Sequence, residues 1–185
     1  MLAAATACAL SGCTGDIVAY DLPAQSARYT FEAETNGVRT AWQYTSAKPT
    51  KADTSELSPC MGDVLGSNPV ACRPEPLIFL RYDLGLALDN TAKAGDMHEI
   101  TVTGYYQERL TALPRVTSLK AEVSFDAGKT WRPSSIKADG KNTFTTKIKH
   151  PKRDQAANGV GLRITATDSE GNTVEQTLPT AYKLR

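Results

Sequence analysis

Leu119-Lys120-Ala121-Glu122-Val123-Ser124-Phe125-Asp126-Ala127-Gly128-Lys129-Thr130-Trp131 reads as an outgoing β-strand, a tight turn and the first residues of a returning strand. Leu119, Ala121, Val123 and Phe125 share one face, and the residues between them share the other. A period of two is the mark of a strand buried on one side. Asp126 to Lys129 is the turn. There an Asp carboxylate accepts backbone N–H groups, and a Gly takes the positive φ that other residues avoid. Trp131 is expected to pack under the hairpin.

The same alternation extends outward in both directions. Upstream, His98 to Tyr106 predicts a strand with Ile100, Val102 and Gly104 inward. Downstream, the turn expected at Lys137–Lys141 precedes a strand at Phe144–Ile148. Val160 to Thr167 carries Val160, Leu162, Ile164 and Ala166 on one face, Asp168 to Asn172 turns the chain, and Thr173 to Leu178 returns. Short strands with turns about every 10 residues suggest an immunoglobulin-like or fibronectin-type sandwich. We assign residues 81–185 to it. Residues 16–80 form a smaller antiparallel β-region. There Ile17 to Leu22, Ala27 to Ala33 and Val38 to Ser46 alternate, and Asn36-Gly37 is a strong hairpin turn. Leu77 to Leu80 and Tyr82 to Leu88 read as further strands. The fold class is therefore all-β. Composition agrees: 10 Pro and 13 Gly fall mainly between runs rich in Thr, Val and Tyr.

A formal net charge of +1 gives no electrostatic reason to expect nucleic acid or an anionic membrane as partner. No stretch is long enough to span a bilayer. Residues 1–15, which contain Met1-Leu2 and Leu10-Ser11-Gly12-Cys13, are signal-like. Leu10–Cys13 fits a bacterial lipobox, so Cys13 is a candidate for lipidation. No Lys or Arg precedes the apolar run, unlike an ordinary signal peptide. The alternative is that Met1 is not the true start. Cys60 and Cys72 bracket a Pro/Gly/Ser/Asn-rich loop, and a disulfide would fix it with about 3 kcal/mol of loop-closure entropy. Two free thiols are the alternative. A disulfide implies an oxidising compartment, either extracellular or in the cell envelope.

Candidate sites are few. Ser124, Asp126, Gly128, Thr130 and Trp131 match the Asp-box pattern of sialidase-like propellers. The box occurs once, without a repeat of blade length, so it reads as a structural turn. Asp168, Gly171 and Asn172 read as a second structural turn rather than a calcium site, because too few carboxylates lie nearby. His98 is expected at a solvent-facing or edge position. His150 sits in the basic run Lys147–Arg153, expected to be a solvated strand end. Neither has the context of a Ser-His-Asp triad. Trp42, Tyr105, Tyr106 and Trp131 could form a stacking platform, with half of them expected in the core. No cofactor or metal is implied.

The segments Ala121–Trp131, His150-Pro151, Val160–Arg163, Ala166–Asp168, Gly171–Thr177 and Ala181–Arg185 together resemble the C-terminal end of large secreted subtilisin-like serine peptidases of actinobacteria. Leu22–Ala24, Ala27–Tyr29, Thr40–Ser46, Asp83–Leu86 and Ala94-Gly95 extend the likeness, which is good over the last 70 residues and thin in the middle, around the Cys60–Cys72 loop. The resemblance implies an accessory β-domain whose peptidase activity lies in an upstream domain. The D-[ST]-G, H-G-T and G-T-S-M-A motifs of that domain are not in this sequence, so no catalytic residue carries over. The implied partners are an upstream peptidase domain and a protein or cell-wall surface. A stand-alone envelope lipoprotein with a binding role is the alternative.

Overall fold

The computed structural model describes residues 21–53, 71–107, 110 and 112–185. The signal-like segment, the start of the Ile17–Leu22 alternation, Cys8, Cys13, Cys60 and most of the loop between Cys60 and Cys72 lie outside these residues.

The chain is all-β. Its strands are β1 (Ala27–Thr35), β2 (Val38–Ser46), β3 (Phe79–Asp83), β4 (Thr91–Ala92), β5 (Met97–Tyr105), β6 (Val116–Ser124), β7 (Arg132–Gly140), β8 (Thr143–Lys149), β9 (Val160–Asp168) and β10 (Thr173–Leu184). Among the described residues, two short 3-10 turns, Lys51–Asp53 and Arg153–Ala156, interrupt the connections. The strands run in the order β1-β2-β10-β9-β6-β7-β8-β5-β3, and β4 pairs with the end of β10.

Local chemistry sets the hairpins. Asn36 and Gly37 both take positive φ (52° and 77°), and the ladder closes from Thr35↔Val38 out to Ala27↔Ser46. Such a turn twists in the same sense as its strands, which fixes the register. The turn expected at Lys137–Lys141 lies further along. β7 continues through Ile136 and Ala138, which pair with Thr146 and Phe144. Lys141 and Asn142 make the reversal at φ of 49° and 59°. The Asn142 side-chain carbonyl also accepts the Val116 N–H at 3.0 Å, which ties this turn to the start of β6. The ladder won over the local turn propensity of Ala138-Asp139-Gly140.

β7 belongs to both halves of the fold. Arg132–Ser134 pair with β6, while Ser135–Gly140 pair with β8. One hydrogen-bonded sheet thus curls over on itself. Strands from its two ends meet: the Trp42 indole N–H donates to the Ile78 carbonyl at 2.8 Å, and the Tyr82 hydroxyl donates to Gln176 Oε1 at 2.8 Å. Between the faces lie Ile100, Val102, Leu162, Ile164, Val174 and Phe144, all buried. Each such side chain contributes about 1.5–3 kcal/mol on leaving water.

The hairpin β1–β2 lies within this sheet. Thr173–Thr177 of β10 pair with Gln43–Arg39 of β2, and Trp42 and Tyr44 join the same core cluster as Ile164. β3 spans the boundary expected at 80/81 and pairs with β5. Residues from both expected regions therefore share one sheet and one core.

Candidate functional site

The Asp126 hairpin is a closed hydrogen-bond set. The Asp126 carboxylate accepts the Thr130 hydroxyl at 2.5 Å, the Thr130 N–H at 2.9 Å and the Ser124 hydroxyl at 2.8 Å. These donors hold its pKa down to about 2, the Thr130 hydroxyl contributing most. Ser124 Oγ in turn accepts the Gly128 N–H at 2.8 Å, and Gly128 sits at φ 81°. Trp131 is half-buried. The Arg163 guanidinium lies 4.6 Å from its ring centroid and also pairs with Glu122 at 2.7 Å. The carboxylate thus spends its acceptor capacity within its own loop.

The second turn reaches further. Asp168 and Asn172 are both buried. Asp168 Oδ1 accepts the N–H groups of Glu170 and Asn172 at 2.9 and 2.8 Å. Its Oδ2 accepts the Asn172 amide at 2.9 Å and the Tyr106 hydroxyl at 3.0 Å. The Tyr106 hydroxyl is held well above its ordinary pKa, first by burial and then by the neighbouring Asp168 charge. Asn172 Oδ1 accepts the Thr45 N–H at 3.2 Å, and Arg28 donates to the Gly171 carbonyl at 3.0 Å. This turn bolts β9 and β10 to β1, β2 and the segment after β5.

The two histidines come together. His98 on β5 and His150 after β8 stack with ring centroids 4.9 Å apart and planes 28° from parallel. The Tyr182 ring packs against both at 5.5 and 5.6 Å. His98 Nε2 lies 2.7 Å from the Leu84 carbonyl, and His150 Nδ1 lies 2.9 Å from the Lys93 carbonyl. A carbonyl only accepts, so both nitrogens carry hydrogen. In neutral His150 the other nitrogen, Nε2, accepts the Tyr182 hydroxyl at 2.9 Å. Burial lowers the His150 pKa below its ordinary value, and burial raises that of Tyr182.

This corrects the expectation for both histidines. His150 is only 2% exposed, and His98 is half-buried. Strand parity accounts for it. His98 has the parity of Ile100 and Val102, and His150 that of Phe144, Thr146 and Ile148. His98 is the register partner of Ile148, which places His150 one diagonal step away on the same face. The basic run therefore alternates: Lys147 and Lys149 point out while Ile148 and His150 point in.

A third polar cluster lies at the foot of the first hairpin. Arg73 donates to Ser46 Oγ at 3.1 Å and the Ala47 carbonyl at 3.3 Å, with Asp53 at 3.5 Å. Ser46 Oγ donates to Glu75 Oε1 at 3.0 Å, and burial lifts the Glu75 pKa. The neighbouring Cys72 is disulfide-bonded. Its expected partner Cys60, and Cys13, lie outside the described residues.

The four aromatic candidates separate. Trp42 and Tyr106 are in the core, Tyr105 is exposed and Trp131 lies under Arg163. Trp42 stacks on Phe31 at 5.5 Å and meets Phe79 at a tilt of 58° and 6.0 Å. They do not form one platform. An open groove of about 450 Å³ lies where β7 leaves β6, between Leu119, Ala121, Ser134 and Ile136. Among the described residues no three His, Cys, Asp or Glu are grouped to hold a metal ion, and no helix is long and apolar enough to cross a membrane.

Compared with protein families, with curated proteins and with solved structures, the chain finds no match.

Proposed function

We propose that this chain is a non-catalytic accessory β-module of a secreted subtilisin-like serine peptidase, with a stabilising or surface-binding role. One observation supports the reading above others. The residues that carry the resemblance to such peptidase tails, Asp126, Trp131, His150, Asp168, Asn172 and Tyr182, each hold a loop or strand end in place. Asp126 and Asp168 fill their oxygens with local donors. Both imidazoles direct an N–H to a backbone carbonyl. Side chains used this way serve to keep a module in shape. An immunoglobulin-like descent for the curled sheet belongs to the same reading, as does a Cys60–Cys72 disulfide formed outside the cytosol.

The test has two arms. Purified chain incubated with casein is expected to leave it intact, and cleavage abolished by a serine-directed inhibitor would overturn the proposal. The reading frame upstream of Met1 is expected to encode a subtilisin-like catalytic domain. Peptide mapping without reductant reads the cysteine pairing. The lipobox at Leu10–Cys13 favours a second reading, an envelope lipoprotein with a binding role. An acylated Cys13 N-terminus, found by mass spectrometry in a native host, would select it.

A further inference from the structure

The segment from Leu84 to Asp96 is a strap between β3 and β5, and the two histidines grip it near both ends. His98 donates to the Leu84 carbonyl and His150 to the Lys93 carbonyl. Between these points the strap turns through Gly85 (φ 57°) and Asn90 (φ 58°), leaves Leu88 fully exposed, and lays β4 along the end of β10. Its far end is held by Ala94 N–H to the Arg185 carbonyl and Gly95 N–H to the Pro151 carbonyl, both at 3.0 Å. The last residues of the chain and the strap thus stand or fall together.

Both carbonyl bonds survive in either charge state, and His150 Nε2 is the atom that distinguishes the neutral ring. In that state every polar atom of His150 has a complementary partner: its Nδ1–H meets a carbonyl and its Nε2 meets a hydroxyl. A second proton on His150 would turn Nε2 from acceptor to donor, and the Tyr182 hydroxyl would have to swing its own hydrogen away and accept instead. It would also put charge in a buried site, face to face with the second imidazole at 4.9 Å. Like charges at that separation repel strongly where water is excluded. The groups facing the pair are Tyr182 from β10, Lys93 and Asp96 from the strap, and Lys149 from β8. The Lys93 carbonyl and, less strongly, the Asp96 carboxylate favour the charged ring, but burial outweighs them, and Asp96 is itself paired with Lys93 at 3.0 Å and lies near Lys149.

We propose that the stacked His98–His150 pair is an acid-operated latch that holds the strap of residues 84–96, and with it the end of β10, onto the sheet at neutral pH and frees both on mild acidification. The sign follows from linkage. An unfolded histidine ionises near pH 6.5, and burial places His150 below that. Below about 6.5 the opened form takes up protons that the closed form does not, so closure is strongest above that pH and weakens as pH falls through it. Carboxylates such as Asp96 and Asp126 act lower, beneath their ordinary value of 3.8.

Hydrogen–deuterium exchange on the intact chain at pH 7.5 and 5.0, corrected for intrinsic exchange rates, tests the latch. The Ala94, Gly95 and Arg185 amides are expected to lose protection severalfold at pH 5.0. Amides of β9 are expected to keep theirs. His98→Gln retains an N–H donor for Leu84 but cannot charge, so the loss is expected to shrink severalfold in that variant. Equal strap protection at both pH values in the wild-type chain would overturn the proposal, as would an undiminished acid response in a folded H98Q. Proton NMR of the wild-type imidazoles supplies a readout that needs no variant. A His150 resonance titrating at the free-histidine pKa would also sink it.

Discussion

Asp168 concentrates more of the fold on one side chain than any other described carboxylate. It is 3% exposed and accepts hydrogen bonds from Glu170, Asn172 (twice) and Tyr106. Asp168→Ala strands the Tyr106 hydroxyl and the Asn172 amide in a dry site. The expected cost is about 2–4 kcal/mol, read as a fall in the urea midpoint at constant slope. Tyr106→Phe removes only one donor, leaves the carboxylate bonded, and is expected to cost about 1 kcal/mol. The sequence pointed to Asp168 and Asn172 as turn formers because Asp and Asn mimic backbone acceptors. It gave no sign that Tyr106, in the segment after β5, would reach this turn. His98 and His150 were legible in part. Strand parity puts both inside, but the expectation weighed their polar neighbours above the period. That their rings would touch depends on the β5–β8 register, which no local pattern encodes.

At the scale of the strand, the alternation was a reliable guide and the ends were not. β9 carries Val160, Leu162, Ile164 and Ala166 inward, as the period required, and all four are buried. Ile164 is fully buried between β6 and β10. Ile164→Ala should therefore cost about 2–5 kcal/mol, while a change at its half-buried neighbour Thr165, on the opposite face, should cost less. Equal thermal shifts for the two would show that β9 does not centre the core. β10 runs past the predicted Leu178 to Leu184, with an irregularity between Leu178 and Tyr182. Pro179, just beyond Leu178, cannot donate to a ladder. The strand instead bulges and resumes, because Tyr182 and Leu184 still have a buried face to fill. The same competition moved the β7–β8 turn: ladder pairing of Ile136 and Ala138 outweighed a Gly-containing turn signal.

For the whole molecule, the all-β class was evident from the period-two pattern. The membership of the first hairpin was not. Hydrophobic pattern reports which face of a strand is buried but not against which partner, so β1–β2 read as a separate region. In the fold, β2 covers one edge of β10, and Trp42 caps the core from outside residues 81–185. A fragment of residues 81–185 would expose the β10 edge and the apolar surface beneath Trp42 and Tyr44. It is expected to aggregate or bind a hydrophobic dye, whereas the full chain unfolds in a single transition. A fragment as cooperative as the full chain would mean that the hairpin is only an appendage.

The pairing of β2 with β10 also has a consequence in time. Thr40 and Gln176, which share a hydrogen bond, lie 136 positions apart. A ribosome adding roughly 5–20 residues per second takes roughly 7–27 s to get from one to the other. Throughout that interval the hairpin's aromatic face, with Phe31 and Trp42, waits for its neighbour. Newly made chains thus pass through a period in which this aromatic face has no neighbour to cover it. A chaperone that holds emerging chains in an extended form would act during that wait, before the last dozen residues complete the sheet.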